Sequence, residues 1–203
     1  MKNYEVEIRN DDVLQDTLWS KQGRKFLRGG VTPFELFLKA DEPFEKYQYP
    51  CILAVLSEGI DKFPEWVEYI KKNKHRYIIE LHGSSHICYC DLTEEEGYKE
   101  LKMAKEKIEK TFDVKISTWY VTFGRKKAPE WGQRVCDRLG IKYDIPNTKR
   151  DAQLWMTNYY KKERYPFFHI NFHFWYPPQV EGIKEVIEII CQKDYKDSNK
   201  KIN

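Results

Sequence analysis

Residues 51–82 read CILAVLSEGIDKFPEWVEYIKKNKHRYIIELH, and this stretch decides the fold. It begins with Cys51–Leu56, a continuous apolar run typical of a strand that is buried on both faces. Pro64 opens an amphipathic helical segment whose lysines gather at its carboxyl end, where the helix dipole favours positive charge. Residues 77–81 form a second apolar strand, which ends directly before His82. The order strand, helix, strand predicts a parallel βα unit.

The same alternation continues on both sides of this stretch. Further strands are predicted at residues 4–8, 116–122, 141–145 and 167–174, with a weaker candidate near 153–156. Further helices are predicted from residue 33 and over 94–112, 129–139 and 180–191. Six or seven strands with helices between them in one domain predict an α/β fold, an incomplete or distorted βα barrel with parallel strands. A doubly wound open sheet is the alternative.

The composition is that of a globular protein without a strong charge bias. The 203 residues include 35 lysines and arginines against 32 acidic residues, a net charge of +3. Neither a nucleic acid nor an anionic membrane surface is therefore expected as a partner. No apolar run approaches the roughly 18 residues that a membrane span requires. The first residues, MKNYEVEIRNDD, lack the apolar core of a signal peptide, so we expect a cytoplasmic protein.

The cysteines predict no disulfide framework. There are five of them, an odd number without framework spacing, and in a protein without a signal sequence we expect them to be reduced thiols. Cys88 and Cys90 could act as soft metal ligands. Because they alternate with Ile87 and Tyr89, a locally extended apolar stretch is the favoured interpretation.

Ionisable side chains follow the predicted strands. Asp11 and Asp12 come after the first strand, His82 and His86 after the third, and His173 lies near the end of the last. In barrels and open sheets alike, the carboxyl ends of parallel strands carry the functional residues. Two imidazoles and a carboxylate are a common ligand set for zinc. The alternative interpretation of the aspartate pair is a turn or a helix cap.

These residues together resemble a known family. The aspartate pair, the His82-x-x-x-His86 loop, the phrase DLTEEEGYKELKMAKEKIEK that follows it and the late histidine are similar to the polysaccharide deacetylases, also called carbohydrate esterase family 4 or NodB-type deacetylases. The resemblance spans about residues 4–190. It implies a single-domain distorted (β/α)7 barrel that hydrolyses acetyl groups on sugars with a divalent metal, usually zinc. We expect residues 1–192 to form this catalytic domain and residues 193–203 to be a polar, lysine-rich tail.

The resemblance also implies a role for each site residue. Asp12, His82 and His86 would hold one divalent metal ion, expected to be zinc. Asp11 would be the general base on the metal-bound water, and His173 the general acid. A carboxylate can accept the proton of water, and an imidazole can protonate an amine, which leaves poorly as an anion. His169, four residues before His173 on the same strand face, competes for the acid role.

The substrate would be an oligosaccharide or a small acetylated amine. A backbone N–H near Phe123 could donate to the oxyanion, because that role does not depend on the side chain. Trp175 could stack on a sugar ring, as could other aromatic residues near strand ends: Trp119, Tyr120 and Tyr176. For large aromatic residues at such positions, the core is the more frequent location.

The sequence departs from the family pattern in several places. Val13 stands where the family has glycine after the aspartate pair, and Gly83 stands where it has serine or threonine after the first histidine ligand. The segment after the fourth strand, residues 120–123, lacks the arginine that would orient the base aspartate. Candidates to replace that arginine are Arg125, Lys126 and Arg150. The family's Asp-x-x-Asp-Trp motif has only a weak counterpart in Asp151 and Trp155.

Two functions remain open on the sequence alone. The first is a metal-dependent carbohydrate deacetylase that removes an acetyl group from an N-acetylated sugar or a related small amine. The alternative is a catalytically idle relative that keeps the barrel and binds a carbohydrate or a protein. The missing arginine favours the alternative, whereas both aspartates, both loop histidines and His173 favour the enzyme.

Overall fold

The computed structural model describes residues 6–15, 31–123, 127–145 and 168–200. Its strands are β1 (Val6–Val13), β2 (Cys51–Leu56), β3 (Tyr77–Gly83), β4 (Thr118–Tyr120), β5 (Lys142–Asp144) and β6 (Phe168–His173). Its helices are α1 (Pro33–Tyr47), α2 (Pro64–Lys72), α3 (Glu94–Phe112), α4 (Gly132–Leu139) and α5 (Pro177–Lys200).

The six strands form one parallel sheet in the order β5-β4-β3-β2-β1-β6. Strands β1 to β5 follow one another in a single direction, and β6 returns to pair with β1. A doubly wound sheet would instead reverse direction near its middle, whereas pairing of a late strand with the first is typical of a barrel. The predicted distorted barrel is confirmed as a curled half-barrel. The weak strand candidate near 153–156 lies outside the described residues.

Local signals in the sequence explain where the long helices begin. Before α1 the Thr32 side chain accepts from the backbone N–H of Glu35, whose carboxylate accepts from the N–H of Thr32. Thr93 and Glu96 form the same reciprocal capping box before α3. Each box satisfies two N–H groups that the first helical turn leaves without partners. Helix α3 has the bounds that the sequence predicts.

Strand β1 is longer at its carboxyl end than predicted. The alternating pattern predicts an end at Ile8, but the strand continues to Val13. It can do so because its backbone pairs on both sides, with β2 up to Val13 and with β6 up to Asp11. The aspartate pair therefore lies within the end of a strand and not in the loop after it.

The other bounds differ by a few residues. Strands β4 and β5 are shorter than predicted, and α4 begins at Gly132 instead of residue 129. Helix α5 begins at Pro177 and continues through Lys200, so the tail from residue 193 begins as helix. No glycine or proline occurs after Gly182 to end it. The division into a domain and a tail at residue 192 stays a prediction.

The buried apolar side chains form two separate clusters. The main core contains the fully buried rings of Trp66 and Trp119. A smaller apolar group, Ile52, Ala54 and Tyr120, lies apart from this core. Trp119 and Tyr120 are thus buried, as the core interpretation of these aromatic residues predicts. None of the described helices is both long and apolar enough to cross a membrane.

The expectation of five reduced thiols is wrong for two of them. Cys88 and Cys90 form a disulfide, while Cys51, Cys136 and Cys191 are free. The interpretation of this segment as extended is also wrong. A short 3-10 turn at Tyr89–Asp91 brings the two Cα atoms to 5.3 Å, within the range that a disulfide spans.

Candidate metal centre and active site

Four predicted site residues meet at the carboxyl ends of β1, β3 and β6. The carboxylate of Asp12 is at their centre. Its Oδ1 lies 3.3 Å from Nε2 of His82 and 3.2 Å from Nε2 of His86. Its Oδ2 lies 3.7 Å from Nε2 of His173. The structure therefore brings the predicted ligands together around one buried carboxylate.

An irregularity in β1 turns Asp12 towards the histidines. The register between β1 and β2 shifts between Asn10 and Val13, and Asp12 has φ 63°. Aspartate tolerates this left-handed conformation better than most residues. In a regular strand Asp11 and Asp12 would point to opposite faces. The irregularity is what allows two adjacent aspartates to serve one site.

His82 is held in one orientation by the neighbouring strand. It is 2% exposed, and its Nδ1 lies 2.7 Å from the carbonyl oxygen of Tyr120. Because a carbonyl can only accept, Nδ1 carries the proton and donates. When the ring is neutral, Nε2 is then a lone-pair donor that faces Asp12. Fixing one imidazole nitrogen so that the other can bind a metal is a common arrangement around metal ions.

His86 lies in the loop after β3. The hydroxyl of Thr122 donates to the carbonyl of Ile87 at 2.6 Å and so ties this loop to the segment after β4. The His86 ring packs edge-on against Phe123, with ring centroids 4.3 Å apart. Burial lowers the pKa of His86 despite the nearby Asp12 charge, which favours the neutral ring that a metal requires.

The donor set fits a divalent metal ion. Oδ1 of Asp12 is buried and has no hydrogen-bond partner, although two imidazole nitrogens lie close to it. A buried acceptor that faces two further lone pairs is costly unless a cation or a proton lies between them. One ligand atom from each of Asp12, His82 and His86 lies within 4.8 Å of the others. Nitrogen and oxygen ligands of this kind suit zinc.

The charge of Asp12 is stabilised from several sides. Burial raises the pKa of Asp12, but the neighbouring imidazoles of His82, His173 and His86 outweigh burial and hold that pKa well below its usual range. The indole N–H of Trp175 donates to Oδ2 at 3.1 Å. Trp175, predicted to bind substrate, therefore orients the Asp12 carboxylate in this structure.

Asp11 is paired with an arginine that the sequence analysis does not single out. Nε of Arg9 donates to Oδ1 of Asp11 at 2.5 Å, and Nη2 donates to Oδ2 at 3.1 Å. Nδ2 of Asn171 also donates to Oδ2, at 3.3 Å. Burial raises the pKa of Asp11, but the charge and hydrogen bonds of Arg9 outweigh it, so the pKa is lowered. Asp11 is held as an ionised carboxylate.

A signal for Arg9 exists in the sequence. Residues two apart on a strand share one face, so Arg9 lies beside Asp11 as soon as β1 extends past Ile8. The predicted early end of the strand concealed this relationship. The three candidates for the missing arginine, Arg125, Lys126 and Arg150, lie outside the described residues, as do Asp151 and Trp155.

His173 lies at the end of β6, opposite Asp11 in the strand register. Its backbone N–H donates to Oε1 of Gln179 at 2.8 Å, and its Nδ1 lies 3.0 Å from the same oxygen. Gln179 therefore accepts from Nδ1 and leaves Nε2 to face the site. His169 pairs with Glu7, four residues further from the carboxyl end. The side chain of His169 lies outside the described part of the chain.

Phe123 stands at the rim of the site. It is 53% exposed and has φ 59°, an uncommon conformation for a bulky residue. Strained backbone conformations of this kind cluster at active sites and ligand-binding sites. This placement is compatible with its predicted contact with substrate.

The structure gives a physical reason for Gly83, one of the departures from the family pattern. Gly83 has φ +145°, and a Cβ there would lie 2.3 Å from the hydroxyl oxygen of Tyr89. That hydroxyl accepts from the backbone N–H of Ser84 at 3.1 Å. The buried Tyr89 thus occupies the space that a serine or threonine side chain would need.

Comparisons with known proteins agree with this architecture. The chain resembles the peptidoglycan deacetylase PdaC from Bacillus subtilis with a TM-score of 0.63 at 14% identity, covering 93% of this chain and 83% of that one. It resembles a family 4 carbohydrate esterase from Streptomyces lividans with a TM-score of 0.66 at 13% identity, covering 94% and 90%. A CE4 family pseudoenzyme from Bacillus anthracis has a TM-score of 0.65 at 10% identity, covering 95% and 63%.

At these identities the structural likeness shows the fold alone. No curated protein sequence matches the chain significantly. The family model for polysaccharide deacetylases matches residues 37–143. This segment includes His82 and His86 but neither β1 nor β6. Because this match covers more than half of the residues, the chain belongs to the polysaccharide deacetylase family.

Proposed function

We propose that this protein is a metal-dependent hydrolase that removes an acetyl group from an N-acetylated sugar or a related small amine. The observation that carries the proposal is the convergence of two imidazole Nε2 atoms on a buried carboxylate oxygen without a hydrogen-bond partner. Asp12, His82 and His86 would hold the ion, for which zinc is the proposed identity. When bound, a divalent cation polarises a carbonyl and lowers the pKa of water towards neutrality.

The residues around this centre supply the proton transfers. Asp11 is ionised and fixed by Arg9, so it can accept a proton from the attacking water. His173 approaches from β6 on another side, with its Nδ1 anchored on Gln179 and its Nε2 free to carry a proton. A protonated imidazole can donate that proton to the amine nitrogen as the amide bond breaks. These roles give an acid and a base on separate strands.

The proposed substrate class is supported by family membership and by two aromatic residues at the rim of the site. Acetylated carbohydrates agree with family membership. Phe123 presents an exposed ring beside His86, and the Trp175 ring lies 5.1 Å from the ring of His173. Flat apolar surfaces of this kind pack well against the apolar faces of sugar rings. We therefore place the acetylated sugar between these two aromatic residues.

A catalytically idle relative is the second candidate. One of the similar structures is described as a pseudoenzyme, and the segment after β4 lacks the expected arginine. The pairing of Arg9 with Asp11 weakens that argument, because a guanidinium is present at the base after all. The enzyme is therefore favoured.

The test combines metal content with acetate release. The purified full chain is loaded with zinc, its bound metal is measured, and acetate is assayed with N-acetylglucosamine, its β-1,4-linked oligomers and peptidoglycan fragments. We expect about one zinc per chain and acetate release by the wild type, with both lost in His82→Ala. His75→Ala, at an exposed histidine outside the site, is the matched control. Zinc binding without acetate from any substrate would favour the idle relative.

A further inference from the structure

Arg9 connects two parts of the barrel that are not neighbours in the sheet. It belongs to β1, yet its guanidinium carbon lies 4.0 Å from the centre of the Tyr120 ring on β4. Strands β2 and β3 lie between β1 and β4 in the sheet order. The side chain therefore crosses the concave face of the half-barrel, where it is 6% exposed.

We infer that Arg9 is a positioning residue, which holds the Asp11 carboxylate in the orientation that a general base requires. This inference rests on the proposed function, and it adds to it the residue on which the base depends. Nothing in the sequence pattern of the family assigns this role to the first strand of this chain. Arg9 can take this role because it lies two residues before Asp11 on the same strand, so both side chains are on one face.

The contact fixes the plane of the carboxylate. Nε and Nη2 of Arg9 each donate to a different oxygen of Asp11, and Asn171 donates to Oδ2 as well. A guanidinium that binds both oxygens at once leaves the carboxylate little freedom to rotate. Each carboxylate oxygen has two acceptor sites, so the pairing leaves acceptor capacity for the proton of a water molecule.

Tyr120 links this pair to the metal centre. Its ring lies against the Arg9 guanidinium, and its backbone carbonyl accepts from Nδ1 of His82 at 2.7 Å. A single residue on β4 thus contacts both the partner of the base and a metal ligand. The cation–π contact is strengthened by burial, because the guanidinium has lost water on that side.

The same molecule contains a buried ion pair that can be compared directly with this one. Nη2 of Arg76 lies 3.0 Å from Oδ2 of Asp41, and the side chains are 3% and 2% exposed. The guanidinium carbon of Arg76 lies 5.2 Å from the centre of the Tyr77 ring. Arg76 precedes β3, at the end of the sheet opposite His82. It matches Arg9 in burial and in its pairing with a carboxylate, but it contacts only one carboxylate oxygen and lies away from the site.

The first experiment compares Arg9→Lys with Arg76→Lys in the zinc-loaded full chain. Lysine keeps the charge but cannot bind both oxygens in the plane of a guanidinium. We expect kcat of Arg9→Lys to fall roughly 100-fold, the cost of misplacing a catalytic group by about 1 Å. KM should change by less than about threefold, because the substrate does not contact Arg9. Zinc content should stay at the wild-type value, and Arg76→Lys should lower only the melting temperature.

The second experiment is chemical rescue. In Arg9→Ala, guanidinium chloride at millimolar concentration should restore part of kcat, because the free ion can enter the space beside Asp11. No rescue is expected in Arg9→Ala combined with Asp11→Asn, where the anion that attracts the guanidinium is absent. Arg76→Ala serves as the control for nonspecific effects of the salt on folding.

Several results would overturn the inference. Wild-type kcat in Arg9→Lys would do so, as would equal losses in Arg9→Lys and Arg76→Lys, which would indicate a purely structural pair. Absence of guanidinium rescue in a folded Arg9→Ala would also contradict it. Failure of the proposed function looks different, because then the wild type itself releases no acetate and Arg9 has no base to position.

Discussion

At the scale of single residues, substitutions of the two adjacent aspartates are expected to have different effects. Asp12 faces both imidazoles that are proposed to bind the metal, whereas Asp11 faces Arg9. Asp12→Asn should therefore lose zinc affinity. Asp11→Asn should keep about one zinc per chain and lose at least roughly 100-fold in kcat, the lower range for a general base. Zinc content and acetate release measured on the same samples check this.

Asparagine suits both positions as a substitute, since it has the shape of aspartate and tolerates the left-handed conformation at residue 12. Full turnover in Asp11→Asn would remove Asp11 from the mechanism. Loss of zinc in that variant would instead make it a ligand.

His173 is expected to matter most where the leaving group is poor. An amine must be protonated as it departs, but an activated phenol leaves without help. His173→Ala should therefore show a large loss of kcat on an N-acetyl sugar and a small loss on an aryl acetate. His169→Ala should show similar losses on both, as expected for a packing residue. A selective amide defect in His169→Ala, with normal His173→Ala, would reverse the assignment.

At the scale of elements, Gly83 is where β3 meets the loop that carries His86. Alanine there combines a backbone conformation costing on the order of 1–3 kcal/mol with a collision against the Tyr89 hydroxyl. At Gly140, with φ +65°, a Cβ would have no atom within 4 Å, so alanine would meet backbone strain without a collision. We therefore expect Gly83→Ala to lower the free energy of unfolding more than Gly140→Ala does.

Chemical denaturation of the two variants and of Gly83→Ala combined with Tyr89→Phe measures these contributions. Removing the hydroxyl should recover part of the loss at Gly83, whereas the backbone strain should remain. Equal stability of Gly83→Ala and Gly140→Ala would show that the loop adjusts around Tyr89 without cost.

Short sequence patterns were enough to predict those helices and strands whose bounds depend only on neighbouring residues. The capping box at Thr93 fixed the start of α3, and the apolar run at Cys51–Leu56 fixed β2. The end of β1 was missed because it depends on pairing with strands far away in the chain. The left-handed conformation of Asp12 has the same origin, since only the shifted register with β2 requires it. No local pattern in residues 8–13 contains that information.

At the scale of the whole molecule, zinc should stabilise the fold. A ligand at 100 times its Kd adds about 2.7 kcal/mol to the free energy of unfolding, which for a chain of this length raises the melting temperature on the order of 5–10 °C. Thermal unfolding with and without zinc measures the shift. Chelation should reverse it, and His82→Ala should abolish it. An equal shift in His82→Ala would place the zinc elsewhere.

The stabilisation by zinc should depend on pH. Burial lowers the pKa of His82, but the nearby carboxylates of Asp12 and Asp11 outweigh burial, so the pKa is raised in the metal-free protein. Zinc must displace the proton that His82 then carries. The shift in melting temperature should therefore grow as the pH rises from below 6.5 through the raised pKa of His82, and level off above it.

The barrel, and the edge of the sheet at which the site lies, could be predicted because both follow from the repeated βα unit. Each βα unit adds a parallel strand, and every strand ends at the same edge, so His82 and His173 meet there although 91 positions separate them in sequence. The contact of Arg9 with Tyr120 could not be predicted in this way. The Arg9 side chain reaches across two strands to Tyr120, and that contact depends on the curvature of the sheet.

The spacing of Arg9 and Asp11 has a consequence for how this gene can change. Arg9 and Asp11 are only two positions apart in the sequence, so the two members of the ion pair are inherited together. In the family pattern the arginine comes from the segment after the fourth strand, which ties that segment to the base. Among the described residues, the hydrogen-bond partners of Asp11 are Arg9 on β1 and Asn171 on β6, and none comes from the segment that carries Phe123. Substitutions at Phe123 can therefore alter the rim of the site without removing a partner of Asp11.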